Sequence, residues 1–394
     1  MAPLPPPVQA LGGGHFDHGL IRFVLYQYHH AHVTQPLILE QLRELGIDIS
    51  AGQVNRLIIE GHELFHAEKA EILEAGLAVS SYVNVDDTGA RHHGHNGYCT
   101  HIGNELFAWF QSTESKSRIN FLELLRAGHE DYLLNADAIE YMRANGLPET
   151  QLESLAGVPQ RFATQAEWMA GLAARDIIRE RHIRIATEGA LLASVLEHRV
   201  NPNLAIVSDD AGQFNILLHA LCWVHAERPI PKLVGFNDEQ RKVLETIRTQ
   251  IWDFYRDLKA YRVHPSDHQK AALKIRFDEI FTTKTCFATL NQALKRLHNN
   301  RSELLLVLER PDLPLHNNLS EGDIREYVKR RKVSGGTRSD LGRRCRDTFA
   351  SLKKTCRKLG LSFWQFLNDR LQGTRAIAPL PQLIRQRAAK AQPS

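Results

Sequence analysis

The sequence contains no run of apolar residues approaching the roughly eighteen that a membrane-spanning helix requires. A membrane partner is therefore not expected. Its start, Met-Ala-Pro-Leu-Pro-Pro-Pro-Val, has neither the basic beginning nor the apolar centre of a secretory signal. Cysteine is scarce: five residues, an odd number and widely scattered, which argues against a disulfide framework. No internal repeat is present. These absences point to a cytoplasmic protein of bacterial type.

What is there is ordinary in bulk and uneven in detail. At 394 residues the chain has room for two or three domains with sizeable cores, and 43% apolar with 24% charged residues is the composition of a soluble globular protein. The net charge is only +4, yet Glu321 to Lys358 holds thirteen Lys/Arg against five Asp/Glu, a net +8, leaving −4 for the remainder. A basic segment on a near-neutral body suggests a polyanion-binding face rather than a solvated helix surface.

Residues 1–14, rich in Pro and Gly, read as a disordered tail. Residues 15–80 read as three helices and a linking fourth: about Asp17 to Ala31, Pro36 to Leu45 opened by Thr34 and stopped by Gly46, Ser50-capped to about Glu60, then 62–80. Helix, short Gly turn and capped helix is a helix-turn-helix-like layout, with Gln53, Asn55 and Arg56 as exposed DNA-contact candidates. Small helical bundles share this pattern.

At Ser81 the periodicity changes. Tyr82 to Thr88 reads as a strand ending on Asp86 and Asp87, and Tyr98–Ile102 and Leu106–Gln111 as two more, followed by a helix from Arg118 to Ala127. The polar connection Arg91-His-His-Gly-His95, with Cys99 and His101, admits a metal-cluster reading, but an exposed hairpin is preferred. Residues 130–200 read as helical and irregular, including a helix from about Arg175 to His198. Leu204 to Asp210 is an apolar run ending on a second acidic pair, Asp209 and Asp210, and Ala211–Leu221 is expected as a helix. Residues 228–310 read as all-helical. One final helix is expected to pack through Phe349, Leu352, Leu359, Phe363, Trp364 and Phe366. Trp109, Trp168, Trp223 and Trp364 read as core aromatics.

The third acid, Glu321, opens a helix that ends in Lys329-Arg-Arg-Lys332. Phosphodiester chemistry uses two divalent cations about 4 Å apart, one at the attacking and one at the leaving oxygen. Mg²⁺ takes oxygen ligands and keeps some waters, so three carboxylates suffice. Adjacent parallel strands hold their end carboxylates rigidly, as Asp86 and Asp209 would be held, and Glu321 would come from a helix packed beside the sheet. Each acid also has a bland role. Asp at a strand end forms turns, and Asn318-x-x-Glu321 resembles a capping box. Two strand-end pairs plus a Glu beside a cationic run are more specific than any one alone. Asp87 and Asp210 are the alternative ligands.

Three blocks carry a resemblance: Val85-Asp-Asp-Thr88 with its hairpin, Ser208-Asp-Asp-Ala-Gly-Gln-Phe214 leading to Cys222-Trp-Val-His-Ala-Glu-Arg228, and Asn317-Asn-Leu-Ser-Glu321 with Arg330-Arg-Lys332 and Ser334-Gly-Gly336. Over roughly Gly14 to Leu371 the chain resembles the insertion sequence sixty-six family of DDE transposases. The resemblance implies an α/β fold: a ribonuclease-H-like mixed sheet formed by 81–227 and 311–371, an all-helical insertion at 228–310, an N-terminal helical (helix-turn-helix-like) domain at 15–80 and a C-terminal tail at 372–394.

It also implies an Mg-dependent transposase that cuts at element ends and joins 3′-OH ends to target DNA. Asp86, Asp209 and Glu321 would be its catalytic metal ligands for two Mg²⁺ (or Mn²⁺) ions, with no organic cofactor. Lys329, Arg330, Arg331, Lys332 and Arg338 would contact phosphate. The expected partners are double-stranded DNA (element ends and target), a second copy of the chain in a homo-oligomer, and accessory transposition proteins, in a nucleoid-associated setting. Where relatives commonly read Asp-Glu-Thr, this chain has Asp87. Cys222 and His225 resemble a Cys-x-x-His pair of insertion-bearing transposases, and a structural or positioning role is preferred over zinc. The alternative function is a non-catalytic helix-turn-helix regulator or an inactive transposase remnant.

Overall fold

Asp17 starts the first helix. The computed structural model describes residues 16–157, 159–198, 200–201 and 203–391, so the expected Pro/Gly-rich tail at 1–14 lies outside the described residues. Asp17 Oδ1 accepts the Leu20 N–H at 2.9 Å and caps α1 (His18–Leu25). The expected α-helix to Ala31 widens instead into a π-helical turn at Tyr26–His30. Thr34 and Pro36 open α2 (Gln35–Glu44), and Gly46 at φ 77° ends it, a conformation that glycine adopts without a Cβ clash. Ser50 and Gln53 form a reciprocal capping box on α3 (Ala51–Ile59), and α4 (Glu63–Val79) follows. Val24, Ile38, Leu42, Val54 and Ile58 bury the shared face of α1 to α3.

The period then switches to two. β1 (Tyr82–Gly89), β2 (Tyr98–Gly103) and β3 (Ala108–Thr113) follow, with β2 and β3 antiparallel from Tyr98↔Thr113 to Gly103↔Ala108. β1 outruns its expected end, so Asp86 lies within the strand and not at its tip. α5 (Arg118–Leu125), β4 (Tyr132–Leu134), α6 (Ala136–Ala144), α7 (Glu149–Leu155), β5 (Gln160–Phe162), α8 (Gln165–Ala173) and α9 (Glu180–Glu197) fill the next stretch. The antiparallel β4–β5 pair was not expected there.

β6 (Ala205–Ser208) is wholly buried. The helix expected over Ala211–Leu221 is absent: a 3-10 turn at Gly212–Phe214 leads into β7 (Leu218–Leu221). Leu218–Leu221 pairs in parallel with all four residues of β6, and this pairing overrides the helical propensity of its leucines and alanine. α10 (Trp223–Glu227), α11 (Asp238–Val263), α12 (Asp267–Phe281), α13 (Ala288–Asn299) and α14 (Arg301–Leu304) come next, then α15 (Asn318–Ser334). The single last helix expected is two, α16 (Asp340–Lys358) and α17 (Phe363–Gln372), separated at Gly360 with φ 64°. The stretch expected as a tail carries α18 (Leu380–Ala391), with Leu380 and Ile384 fully buried. The main sheet has the order β3-β2-β1-β6-β7. No helix among the described residues is long and apolar enough to cross a membrane.

The chain divides into two units. One comprises Met1–Ser80, Asp87–Asn201 and Gly322–Ser394, and the other Ser81–Asp86 and Pro202–Glu321. In the first, α16 completes the hydrogen bonding of edge strand β3. Ser112 N–H donates to Asp347 at 2.7 Å, Phe110 N–H to Ser351 Oγ at 2.9 Å and Ala108 N–H to Thr355 Oγ1 at 3.2 Å. Positions i, i+4 and i+8 of one helix face thereby meet alternate residues of one strand, and the edge is closed to further strand pairing.

The same helix carries an ionic layer. Asp323 lies within 3.3 Å of His101, Lys354 and Lys358, and Glu326 pairs with Lys353 and, at 2.7 Å, with Lys354. Burial alone would raise the Glu326 pKa, but the hydrogen bonds from Lys353 and Lys354 outweigh it and pull the group down to about 2. Burial is likewise overcome at Asp323 by His101 and Lys358, which hold it well below the usual range.

The second unit packs around Trp223, whose indole N–H donates to the Leu304 carbonyl at 3.0 Å and whose ring meets Phe254, Phe277 and Phe281. Trp109, Trp168 and Trp223 are buried; Trp364 is half-buried beneath the Arg22 guanidinium.

Because the folded-state pKa of Glu326 is depressed, its contribution is complete above its ordinary value of 4.5 and is lost as pH falls toward about 2. Urea midpoints measured from pH 7 down to pH 2 should therefore fall across that window. Lys354→Met, which strips both acids of a partner, should be less stable at pH 7 and show a shallower acid limb. Parallel wild-type and variant curves would contradict this reading.

Candidate functional site

The second unit contains Asp86, Asp209 and Glu321, and strand register explains the placement of the first two. β1 and β6 are parallel, with Tyr82↔Ala205, Val83↔Ile206 and Asn84↔Val207. Continuing that register by two residues sets Asp86 beside Asp209, on strands about 4.8 Å apart. Asp209 stands one residue past β6 and stays half-buried. Its Oδ1 accepts the Ala211 N–H at 3.1 Å, holding the turn that leaves the strand.

Asn317 supplies the third acid's position. Its side chain, 1% exposed, receives the Asn84 amide N–H at 2.8 Å and donates to the Val85 carbonyl at 2.7 Å. Its backbone N–H donates to Cys222 Sγ at 3.2 Å. Cys222 is itself tied to β6 by its N–H to the Ser208 carbonyl at 2.8 Å, and Trp223 N–H reaches Leu315 O at 3.0 Å. Asn84 and Asp86 share a strand face, so Asn317 sits against the face that bears Asp86. Glu321 is one helical turn on, its N–H bonded to Asn317 O at 3.1 Å, a rise of about 6 Å. α15 begins at Asn318, so Asn318 is inside the helix and Glu321 is its fourth residue. The Asn318–Glu321 capping box is therefore not formed.

The alternative acids are engaged elsewhere. Asp87 accepts the Thr100 hydroxyl at 2.6 Å, and Asp210 pairs with Arg296 at 3.1 Å. The Cys-x-x-His pair is equally specific. Burial pushes the Cys222 thiol pKa up. His225 Nε2 lies 3.3 Å from Glu321 Oε1, and Arg228 lies 3.9 Å from the same oxygen. Among the described residues no set of three metal-ligating side chains includes Cys222 or His225. Cys222 Sγ accepts the Asn317 N–H, and His225 faces Glu321.

The donor set fits a hard cation. Three carboxylates offer only oxygen, and Glu321 Oε1 is a buried oxygen whose approach to His225 lacks hydrogen-bond geometry. The three acids do not converge to within 4.8 Å of one another, as ligands of a single ion would.

The expected DNA contacts divide. Lys329, Lys332, Arg338 and Arg56 are exposed, and Arg331 is half-buried with its guanidinium on the Gly89 carbonyl. Arg330 is a correction. It is 5% exposed, with its guanidinium 3.6 Å from the Tyr28 ring centroid, a buried cation–π contact that cannot meet a phosphate without leaving the core. Gln53 is half-buried and spends its side chain on the Ser50 cap. Arg346, Lys353, Lys354 and Lys358 are also largely enclosed, so much of the basic segment neutralises internal acids and carbonyls. Asn84 was not singled out from sequence, and Asn317 and Arg228 appeared there only within motif blocks, with no role of their own. The one signal was a polar Asn inside the apolar strand Tyr82-Val-Asn-Val85.

Strand-borne acids beside a helical glutamate define a carboxylate-centred α/β protein. The family model described as Transposase IS66 family matches residues 197–344, which include Asp209, the Cys222–Arg228 segment and Glu321. A protein of Sinorhizobium fredii, described as uncharacterized protein y4jO, is 45% identical over 326 residues, 81% of this chain and 100% of that protein. The chain belongs to the IS66 transposase family.

Asn317→Ala would leave the Asn84 amide and the Val85 carbonyl buried without partners, at about 1–3 kcal/mol each. Chemical denaturation should show a loss of about 2–5 kcal/mol. Cys222→Ser keeps an acceptor for the Asn317 N–H and should cost much less. A near-neutral Asn317→Ala would refute the pinning role.

Proposed function

We propose that the chain is a DNA transposase that cuts at insertion-sequence ends and joins the freed 3′-hydroxyl to target DNA, with Asp86, Asp209 and Glu321 as the ligands of two Mg²⁺ or Mn²⁺ ions. The observation that carries this reading is the parallel register that sets Asp86 beside Asp209, with Glu321 one turn beyond an asparagine bonded to the same strand. When bound, such ions activate the attacking oxygen and stabilise the leaving one.

The chain's own residues do the rest. The carboxylates fix the reacting geometry. Arg228, half-exposed 3.9 Å from Glu321, offers a cation for the phosphate being cut, and His225 lies 3.3 Å from the same Glu321 oxygen. Three consecutive strands with the first acid on the first of them support a ribonuclease-H-like catalytic core. α2 and α3, joined by a Gly46 turn and presenting exposed Asn55 and Arg56, support a helix-turn-helix reading of the N-terminal region. Exposed Lys329, Lys332 and Arg338 would bind phosphate, and their contribution would weaken with salt.

The test is a strand-transfer assay with the purified chain, a labelled duplex carrying the element's ends, and Mg²⁺ or Mn²⁺. Asp209→Asn should abolish joining, a loss of at least about 10³-fold, while leaving DNA binding within a few-fold. Joining that persists in the variant would overturn the assignment, and tight binding without any metal-dependent cleavage would favour a DNA-binding regulator.

A further inference from the structure

The histidine-rich connection between β1 and β2 folds back on itself and is clasped to the segment that follows α15. His92 N–H bonds His95 O at 3.0 Å and His95 N–H bonds His92 O at 2.8 Å, closing a tight loop. That loop is tied to the 335–340 segment by His93 N–H to Thr337 O at 2.9 Å and Thr337 N–H to Arg91 O at 3.0 Å. A Cβ at Gly336 would fall 2.6 Å from the Arg91 carbonyl, so the clasp depends on glycine there. All of these residues belong to the first unit.

The clasp brings together side chains that sequence spacing keeps far apart. His92, His93 and Asp340 offer ligand atoms that all lie within 4.8 Å of one another, and among the described residues no other such trio of His, Cys, Asp or Glu occurs. Cys99 and His101, grouped with this loop on sequence, are buried elsewhere: Cys99 in the core with Phe110 and Tyr327, and His101 on Asp323.

We propose that His92, His93 and Asp340 form a binding site for an imidazole-preferring divalent cation of the zinc type, a site separate from the three catalytic carboxylates and independent of the proposed transposase activity. His92 carries the argument. Its Nδ1 lies 2.8 Å from Thr337 Oγ1 and its Nε2 lies 3.1 Å from Asp340 Oδ1. With the proton on Nδ1, donated to Thr337, the Nε2 lone pair faces a carboxylate oxygen, an arrangement that a cation between them stabilises. This is the outer-sphere pattern of a metal-bound histidine, whose second nitrogen is fixed by a hydrogen bond.

The separation suits a shared ion. Two ligands bound at about 2.0–2.1 Å in tetrahedral geometry stand about 3.3 Å apart, close to the observed 3.1 Å. Arg343 holds Asp340 Oδ1 at 3.0 Å, the kind of second partner that ligating carboxylates have. His93 and Asp340 are exposed, and the loop borders a cavity of about 300 Å³, which gives an ion a way in and leaves room for a water as fourth ligand. Two imidazoles and one carboxylate select zinc-like ions over Mg²⁺.

The full chain, stripped with a chelator and kept in millimolar Mg²⁺ to fill oxygen-only sites, is titrated with Zn²⁺ by calorimetry and with Co²⁺ by visible absorbance. The expected result is one ion per chain and the intense d–d bands of tetrahedral Co²⁺. His92→Ala, Asp340→Asn and, at an exposed position, His93→Ala should each weaken Zn²⁺ binding at least about tenfold. His95→Ala should leave it within a few-fold. Melting temperatures of the metal-free variants identify any that fail to fold. Folded His92→Ala or His93→Ala protein that binds Zn²⁺ as the wild type does would overturn the proposal, as would a Co²⁺ spectrum without tetrahedral bands. In that case the His92–Asp340 contact is an ordinary hydrogen bond.

Discussion

The candidate site rests on one buried side-chain amide. Asn317 uses its carboxamide oxygen, its carboxamide nitrogen and its backbone N–H at once, on Asn84, Val85 and Cys222. A buried amide with all these groups engaged is rigid, because each lost bond leaves a desolvated partner. The consequence is positional. A helix that begins one residue after such a pin places its first turn reproducibly, and Glu321 lies in that turn. Strand register does the same for Asp86 and Asp209, and Asp209 also accepts the Ala211 N–H. Three acids from distant parts of the sequence are thus positioned by backbone geometry and one asparagine, whose backbone N–H also meets Cys222.

Electrostatics in the first unit follows a different logic. The basic stretch after Glu321 reads as a polyanion-binding face when its charges are counted, but charge counting cannot see burial. Lys353, Lys354 and Lys358 are spent on Asp323 and Glu326, and Arg330 is stacked on Tyr28. Buried ion pairs of this kind add little net stability relative to an apolar core, but they are costly to break singly. Of the thirteen cations, Arg325, Lys329, Lys332, Arg338, Arg344 and Arg357 are exposed, fewer than the charge count suggests.

Elements with strong local signals were legible in the sequence. Thr34 with Pro36, Ser50, and Gly46 marked helix ends that the structure keeps within a residue or two, and the β1 and β6 strands were visible as apolar runs ending in acids. What was not legible depends on partners distant in sequence. Leu218–Leu221 is a strand only because β6 lies beside it. The Asp347, Ser351 and Thr355 spacing is an ordinary helical repeat until β3 supplies the N–H groups that it serves. Asp340 could not be joined to His92 and His93 from sequence, because nearly 250 residues intervene and a backbone clasp at Thr337 closes the gap.

The most direct test of the account is to ask where a divalent ion sits. With Fe²⁺ in place of Mg²⁺, ascorbate and peroxide generate hydroxyl radicals that cut the polypeptide beside the bound metal, and the fragments can be mapped by mass. The account predicts cuts clustered near Asp86, Asp209 and Glu321 in the same molecule, suppressed by excess Mg²⁺ and lost together in Asp209→Asn. Cutting that spares all three positions, or that continues unchanged in the variant, would contradict it.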